Sequence, residues 1–212
     1  MDPVIMMPDN VDEAVLRAPN CKRPGLDGLH HYWLKGFVVS HAVLARLFQE
    51  ALDQKSLSSL FTTGITYLVP KDQDTTDPSL YKCRPIRCLP TIYKTLTPIL
   101  MARITRHLNL NQVFSRAQTS CRGGGRGSKE LLLIDAVIGK VVKRNRRNFS
   151  AAWIDYRKAL DSLPHTWLKK VFELYKVDCT FRDFLGQCMG QWNTILCHLG
   201  ERMMAAENHI GI

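Results

Sequence analysis

The chain lacks any run of about 18 consecutive apolar residues, so no segment reads as a membrane-spanning helix. Its first residues, Met1-Asp2-Pro3-Val4-Ile5-Met6-Met7-Pro8, lack a basic stretch ahead of an apolar one, and no secretory leader is expected there. Acid is scarce: 19 Asp and Glu stand against 29 Lys and Arg, for a formal net charge of +10. The seven cysteines have no paired Cys-x-x-Cys spacing. Cys83 and Cys88, and Cys179, Cys188 and Cys197 beside His198, are spaced too irregularly for structural zinc, so reduced thiols filling a core are expected. Internal repeats and low-complexity tracts are missing too.

What is present is an ordinary globular composition, 45% hydrophobic and 23% charged over 212 residues, enough for one domain or two small lobes. The positive balance favours phosphate backbones as partners, with affinity that falls as salt rises. A solvated basic surface with no partner carries the same charge, so charge alone leaves both readings open.

Along the chain, residues 1–19 read as a weakly ordered lead-in with one short helix at 11–18. Pro24-Gly25-Leu26-Asp27-Gly28 is turn-rich. Ser40 is placed to cap a helix with Val43, Leu44, Leu47, Phe48, Ala51 and Leu52 on its apolar face. Ile65, Thr66, Tyr67, Leu68 and Val69 predict a strand over 62–69, followed by a polar loop over 71–81 and a second strand at 84–89. Thr91 opens a helix with Ile92, Leu96, Ile99 and Leu100 inward, in which Pro98 is expected to make a kink or a break. Residues 121–128 are a glycine-rich loop. Ser128 is placed to cap a helix through Leu131, Leu132, Ile134, Val137, Ile138, Val141 and Val142. The basic run at 140–147 suits that helix's C-terminus. A strand is predicted over 150–156, helices over 165–176 and 181–192, and short strands at 193–199 and 209–212. Irregular alternation with long loops points to an α/β or α+β chain of two lobes.

One stretch stands out: Trp153-Ile154-Asp155-Tyr156-Arg157-Lys158-Ala159-Leu160-Asp161-Ser162-Leu163-Pro164-His165. An apolar run ends in an acid, a polar turn follows, and a proline precedes an amphipathic helix. It resembles the first metal-binding segment of reverse transcriptases, in the form found in non-LTR (LINE-type) retrotransposons. Four further segments resemble that family in the same order. Asn20-Cys21-Lys22-Arg23-Pro24-Gly25-Leu26-Asp27-Gly28 looks like the opening K-S-P-G-P-D-G segment. Tyr67-Leu68-Val69-Pro70-Lys71 is similar to the fingers strand. Arg84-Pro85-Ile86-Arg87-Cys88-Leu89-Pro90-Thr91-Ile92-Tyr93-Lys94 looks like R-P-I-x-x-L-x-x-x-Y-K. Gln118-Thr119-Ser120-Cys121-Arg122-Gly123-Gly124-Gly125 is similar to the family's glycine-rich loop. Five segments in family order are far more specific than any one of them.

The resemblance implies an incomplete right-hand polymerase: a lead-in at 1–19, fingers over 20–148 and the first part of a palm over 149–212. It implies RNA-directed DNA synthesis, with an RNA template and a DNA primer or an RNA/DNA hybrid, dNTP substrates, Mg²⁺, no membrane, and an intracellular, nuclear location. Such chemistry joins a 3′-hydroxyl to an α-phosphate using two hard cations held by oxygen ligands. The resemblance places Asp155 and the backbone carbonyl of Tyr156 on the metal. It places Lys71 and Arg84 on the incoming triphosphate, the backbone N–H groups of Lys158 and Ala159 on its β-phosphate, and Leu160 beneath the sugar. Each position also has a plainer reading. Asp155 would equally serve as a strand-end acid, Lys71 and Arg84 as surface charges, and Asp161 as a helix cap.

The chain departs from the family in three ways. Leu160 stands where the family usually has Phe, and Ser120 where it has Gly. Two residues separate Tyr81 from Arg84 where the family usually has none. The sequence contains no Gln-Gly and no Asp-Asp dipeptide, so the family's next two segments are missing and the chain alone is expected to be catalytically incomplete. The alternative is a non-catalytic nucleic-acid-binding protein that uses the basic run at 140–147. Leu is shorter than Phe, so wherever synthesis occurs Leu160→Phe is expected to raise the preference for dNTP over rNTP. Single-nucleotide incorporation measures that ratio, and an unchanged ratio would contradict the assignment.

Overall fold

The computed structural model describes residues 3–70, 83–115, 117–118, 127–156, 159, 162–198 and 201–207. The helices are α1 (Pro8–Arg17), α2 (His31–Gly36), α3 (Val39–Asp53), α4 (Ser59–Thr62), α5 (Thr91–Leu110), α6 (Ser128–Asn145), α7 (His165–Leu174) and α8 (Cys179–Gly190). The strands are β1 (Thr63–Pro70), β2 (Cys83–Cys88), β3 (Asn193–His198) and β4 (Glu201–Glu207). The class is mixed α+β. By packing, the chain divides into two units, Met1–Thr105 with Leu160–Ile212, and Arg106–Ala159. These are boundaries of contact, a different kind from the lead-in, fingers and palm divisions at 19/20 and 148/149.

In the first unit the strands form one sheet in the order β2-β1-β3-β4. β1 pairs antiparallel with β2 and parallel with β3, and β3 pairs antiparallel with β4. β-branched Thr and Ile residues in β1 and β3 suit a pleated surface, and the buried hydroxyls of Thr66 and Thr194 bond to each other between the two strands. The sequence pattern gives β1, β2 and β3 but not β4, and the strand expected at 209–212 lies outside the described residues.

The helical core joins α1, α3, α5 and α8 through Val11, Val15, Phe48, Leu96, Phe181 and Phe184. The lead-in is thus part of the core. Val11 and Val15, one turn apart, are fully buried, and Pro8 is suited to the first turn of α1. On α3 the expected face is partly rotated. Leu44, Phe48, Ala51 and Leu52 are buried, while Val43 and Leu47 are exposed, and His41 and Ala45 take the inward places. His41 is accommodated because Nε2 lies 2.9 Å from the Leu34 carbonyl. Ser40 lies inside α3 rather than capping it, and its hydroxyl donates to Phe37 O at 2.6 Å. α5 is a single helix through Pro98. Proline removes one backbone bond there, and Leu96, Ile99 and Leu100, all buried, hold the turns on both sides. Asp178 caps α8, accepting from Phe181 N at 3.1 Å.

The Pro24–Gly28 turn is bound to the start of α5. Asp27 Oδ2 accepts from the backbone N–H of Thr91 and, at 3.2 Å, from that of Ile92. Thr91 Oγ1 donates to Leu29 O at 2.6 Å. The cap of α5 therefore comes from a residue 64 positions earlier. Gly25 makes the approach possible: a Cβ there would lie 2.3 Å from Pro90 N and 2.4 Å from the Leu89 carbonyl carbon.

In the second unit, α6 has no buried residue, and its expected inward side chains, among them Leu131, Ile134 and Ile138, are exposed. Gly127 occupies its cap position and Ser128 is its first residue.

Gly25→Ala is expected to cost about 1–3 kcal/mol through overpacking, and Asp27→Ala about 0.5–2 kcal/mol through the lost cap. Urea unfolding measures both, and an unshifted midpoint in Gly25→Ala would contradict the close approach.

Candidate functional site

Three of the five family-like segments meet within the first unit. The Arg23 guanidinium lies 4.0 Å from the centroid of the Tyr67 ring, a cation–π contact between the opening turn and β1. Lys94 Nζ donates to Arg23 O at 2.8 Å. With Asp27 on Thr91 and Gly25 on Leu89 and Pro90, the opening turn touches both β1 and the segment over 84–94. β1 and β2 align those two segments in register, with Val69 opposite Arg84 and Pro70 opposite Cys83.

Arg84 is exposed at the Pro70–Cys83 end of this β1–β2 pair. Lys71, its expected companion on the triphosphate, directly follows Pro70 in sequence but lies outside the described residues. So do Lys158, Leu160 and Asp161; of the second expected phosphate contact, only Ala159 is described, in an exposed turn. Pro164 occupies the cap position of α7, which has no side-chain cap bond.

The strand expected at 150–156 does not form. Residues 147–156 are neither helix nor strand, and Asp155 and Tyr156 are exposed within them. Trp153 and Ile154 are 79% and 75% exposed. A strand this apolar is stable only when neighbouring strands satisfy its backbone and other elements cover its faces. The four strands of the sheet pair among themselves and do not include it.

Two divalent ions at polymerising distance need several carboxylate and carbonyl oxygens directed at one point. Among the described residues, no group of three or more His, Cys, Asp or Glu side chains could hold a metal ion. Asp155 and the Tyr156 carbonyl lie on an exposed irregular segment, with no such group among the described residues around them.

The second unit concentrates positive charge instead. Lys140, Lys143, Arg144, Arg146 and Arg147 are all exposed at the end of α6. The helix closes with Arg146 in the left-handed region at φ 50°, and Arg147 N donates to Val142 O at 3.2 Å.

The first unit also contains an apolar cleft of about 740 Å³ lined by Tyr93, Leu96, Leu100, Phe172, Phe184 and Cys188, among others. Trp192 Nε1 donates to the Tyr93 hydroxyl at 3.1 Å. Burial pushes the Cys188 thiol up to about 12. Burial, reinforced by Cys188 and opposed by the Trp192 bond, pushes the Tyr93 hydroxyl up to about 12. In the folded chain both keep protons that the unfolded chain releases from their ordinary values of 9.0 and 10.0 upward. Stability is therefore expected to fall as pH rises from about 9 towards about 12. In native protein at mildly alkaline pH, Cys188 is expected to resist alkylation while the exposed Cys21 and Cys179 react. Mass spectrometry of the labelled peptides reads this directly, and rapid labelling of Cys188 in folded protein would contradict it.

No protein-family model matches this sequence.

Proposed function

We propose that this chain is the fingers and first part of the palm of a non-LTR retrotransposon reverse transcriptase. The observation that carries the reading is the meeting of separate family-like segments. Arg23, Gly25 and Asp27 of the first contact Tyr67 of the second and Leu89, Pro90 and Thr91 of the third. A turn that resembled the family by chance would have no reason to cap the helix that begins within the third segment. In this reading the β1–β2 pair presents Arg84 to the triphosphate of a dNTP. A guanidinium suits that role because its planar fork matches phosphate oxygens. Asp155 is the carboxylate that would face the metal once the segment around it pairs into a sheet. The partners are an RNA template and a DNA primer, and the setting is nuclear.

Among the described residues, no point gathers the carboxylates that Mg²⁺-dependent nucleotidyl transfer needs. The reading therefore assigns the chain nucleic-acid and nucleotide contacts rather than turnover. The exposed cations of α6 favour a second reading, in which the chain binds nucleic acid without chemistry.

Purified chain, given an RNA template annealed to a DNA primer with dNTPs and Mg²⁺, is expected to extend the primer no more than Asp155→Asn does. Extension clearly above that variant would overturn the assignment of incompleteness. In the same preparation, binding to the hybrid is expected to weaken steeply between low and moderate salt. Salt-insensitive binding would count against both readings.

A further inference from the structure

A second cleft in the first unit, of about 410 Å³, lies where α1, the turn after it, α2 and α5 come together. Its wall carries Arg17, Lys22, Lys94 and Arg103, together with the buried imidazole of His31. Glu13 is the only acid among the lining residues, and it pairs with Arg17. Lys22, Lys94 and Arg103 therefore have no carboxylate on the wall to balance them. The contacts of two of them point the same way: Lys94 Nζ donates to Arg23 O at 2.8 Å, and Arg103 Nη2 lies 3.4 Å from Ile5 O. Carbonyl dipoles orient a cation without cancelling its charge, and a half-buried cation left in that condition is costly. The titrating groups register the imbalance. Burial holds Lys94 below its usual range although Cys88 and Asp27 oppose the shift. Burial, then Lys94, Lys35 and Lys22, hold His31 below its own, with only Asp27 opposing.

The rest of the lining is mixed. Thr97 and Asn10 offer polar groups, while Ala14, Pro98, Ile99 and Ala102 form an apolar floor. The size falls within the range of small-molecule sites, about 300–1,000 Å³, and is much larger than a bare oxyanion requires. Cations at one side of an apolar floor suit a ligand with an anionic head and a flat organic body. Arg supplies a planar fork and Lys a point charge, the usual pair for phosphate oxygens.

We propose that this cleft binds a phosphate ester of about nucleotide size, held by Lys22, Lys94 and Arg103 with its organic part over Pro98 and Ile99. Lys22 and Lys94 belong to two of the family-like segments, but the site shares no residue with the Asp155 segment or the β1–β2 pair, and its test reads ligand binding rather than primer extension, so the two can fail separately. Its phosphate has two conceivable sources, a free nucleotide or a nucleotide unit within a strand, and the test separates them.

The 212-residue chain would be titrated with inorganic phosphate, with a nucleoside monophosphate and with a short single-stranded oligonucleotide, by calorimetry and by phosphorus NMR. Saturable one-to-one binding of the monophosphate, tighter than that of inorganic phosphate, is expected. Lys94→Gln and Arg103→Gln are each expected to weaken it about tenfold. Lys22→Gln alters an exposed side chain and provides a variant that keeps the fold. Arg46→Gln, at an exposed position of α3 outside the cleft, is the control and should leave the affinity unchanged. If only the oligonucleotide binds, and the three cleft variants weaken it while the control does not, the source is a strand and the site is upheld. Absence of saturable binding by any probe up to about 10 mM, or equal weakening by the control, would overturn the proposal.

Discussion

The fold of the first unit depends on one carboxylate. Asp27, in the turn between α1 and α2, closes the N-terminus of α5 by accepting from the backbone N–H groups of Thr91 and Ile92. A helix start has unpaired donors and a partial positive charge, so an acid from another part of the chain satisfies both at once. Because α5 supplies Leu96, Ile99 and Leu100 to the core, that cap helps to fix where those side chains enter it. Gly25 lets the turn lie against the Leu89–Pro90 backbone, and Lys94 returns a bond to Arg23 O, so the turn is held at both ends. Through Arg23 over Tyr67, the same turn is tied to β1.

That arrangement also shows what the sequence can and cannot disclose. Pro-Gly and Asp-Gly mark a turn wherever they occur, and the periodicity of Leu44, Phe48, Ala51 and Leu52 marks a buried helix face; both are local properties and both are found. Asp27 as a cap for a helix 64 positions away is not local, and no spacing rule reveals it. The same is true of the basic cleft. Lys22 and Lys94 are visible in the sequence within two separate family-like segments, but only the docking of the turn onto α5 puts them on one wall. β4 is hidden for a related reason, since Glu201–Glu207 lacks the alternation of a strand covered on one face and is held by its register with β3.

The segment over 150–156 is the opposite case. Its apolar residues and terminal acid are those of a buried strand, and local pattern predicts one with no indication of its partners. Pairing is a property of neighbours, and the sheet that forms, β2-β1-β3-β4, pairs without it. α6 makes the same point for helices: its apolar side chains follow helical spacing, yet none is buried. Intrinsic propensity accounts for such a helix only in part, since helix stability in proteins comes mostly from packing one face.

The parallel pairing of β1 with β3 has a consequence for how the chain is made. Thr63 of β1 aligns with Asn193 of β3, so about 130 residues must be synthesised before the partner strand exists. At ribosomal rates of about 5–20 residues per second, the inner edge of β1 waits roughly 7–26 s. During that interval the growing chain carries a row of unsatisfied backbone donors and acceptors, the kind of edge that recruits other strands.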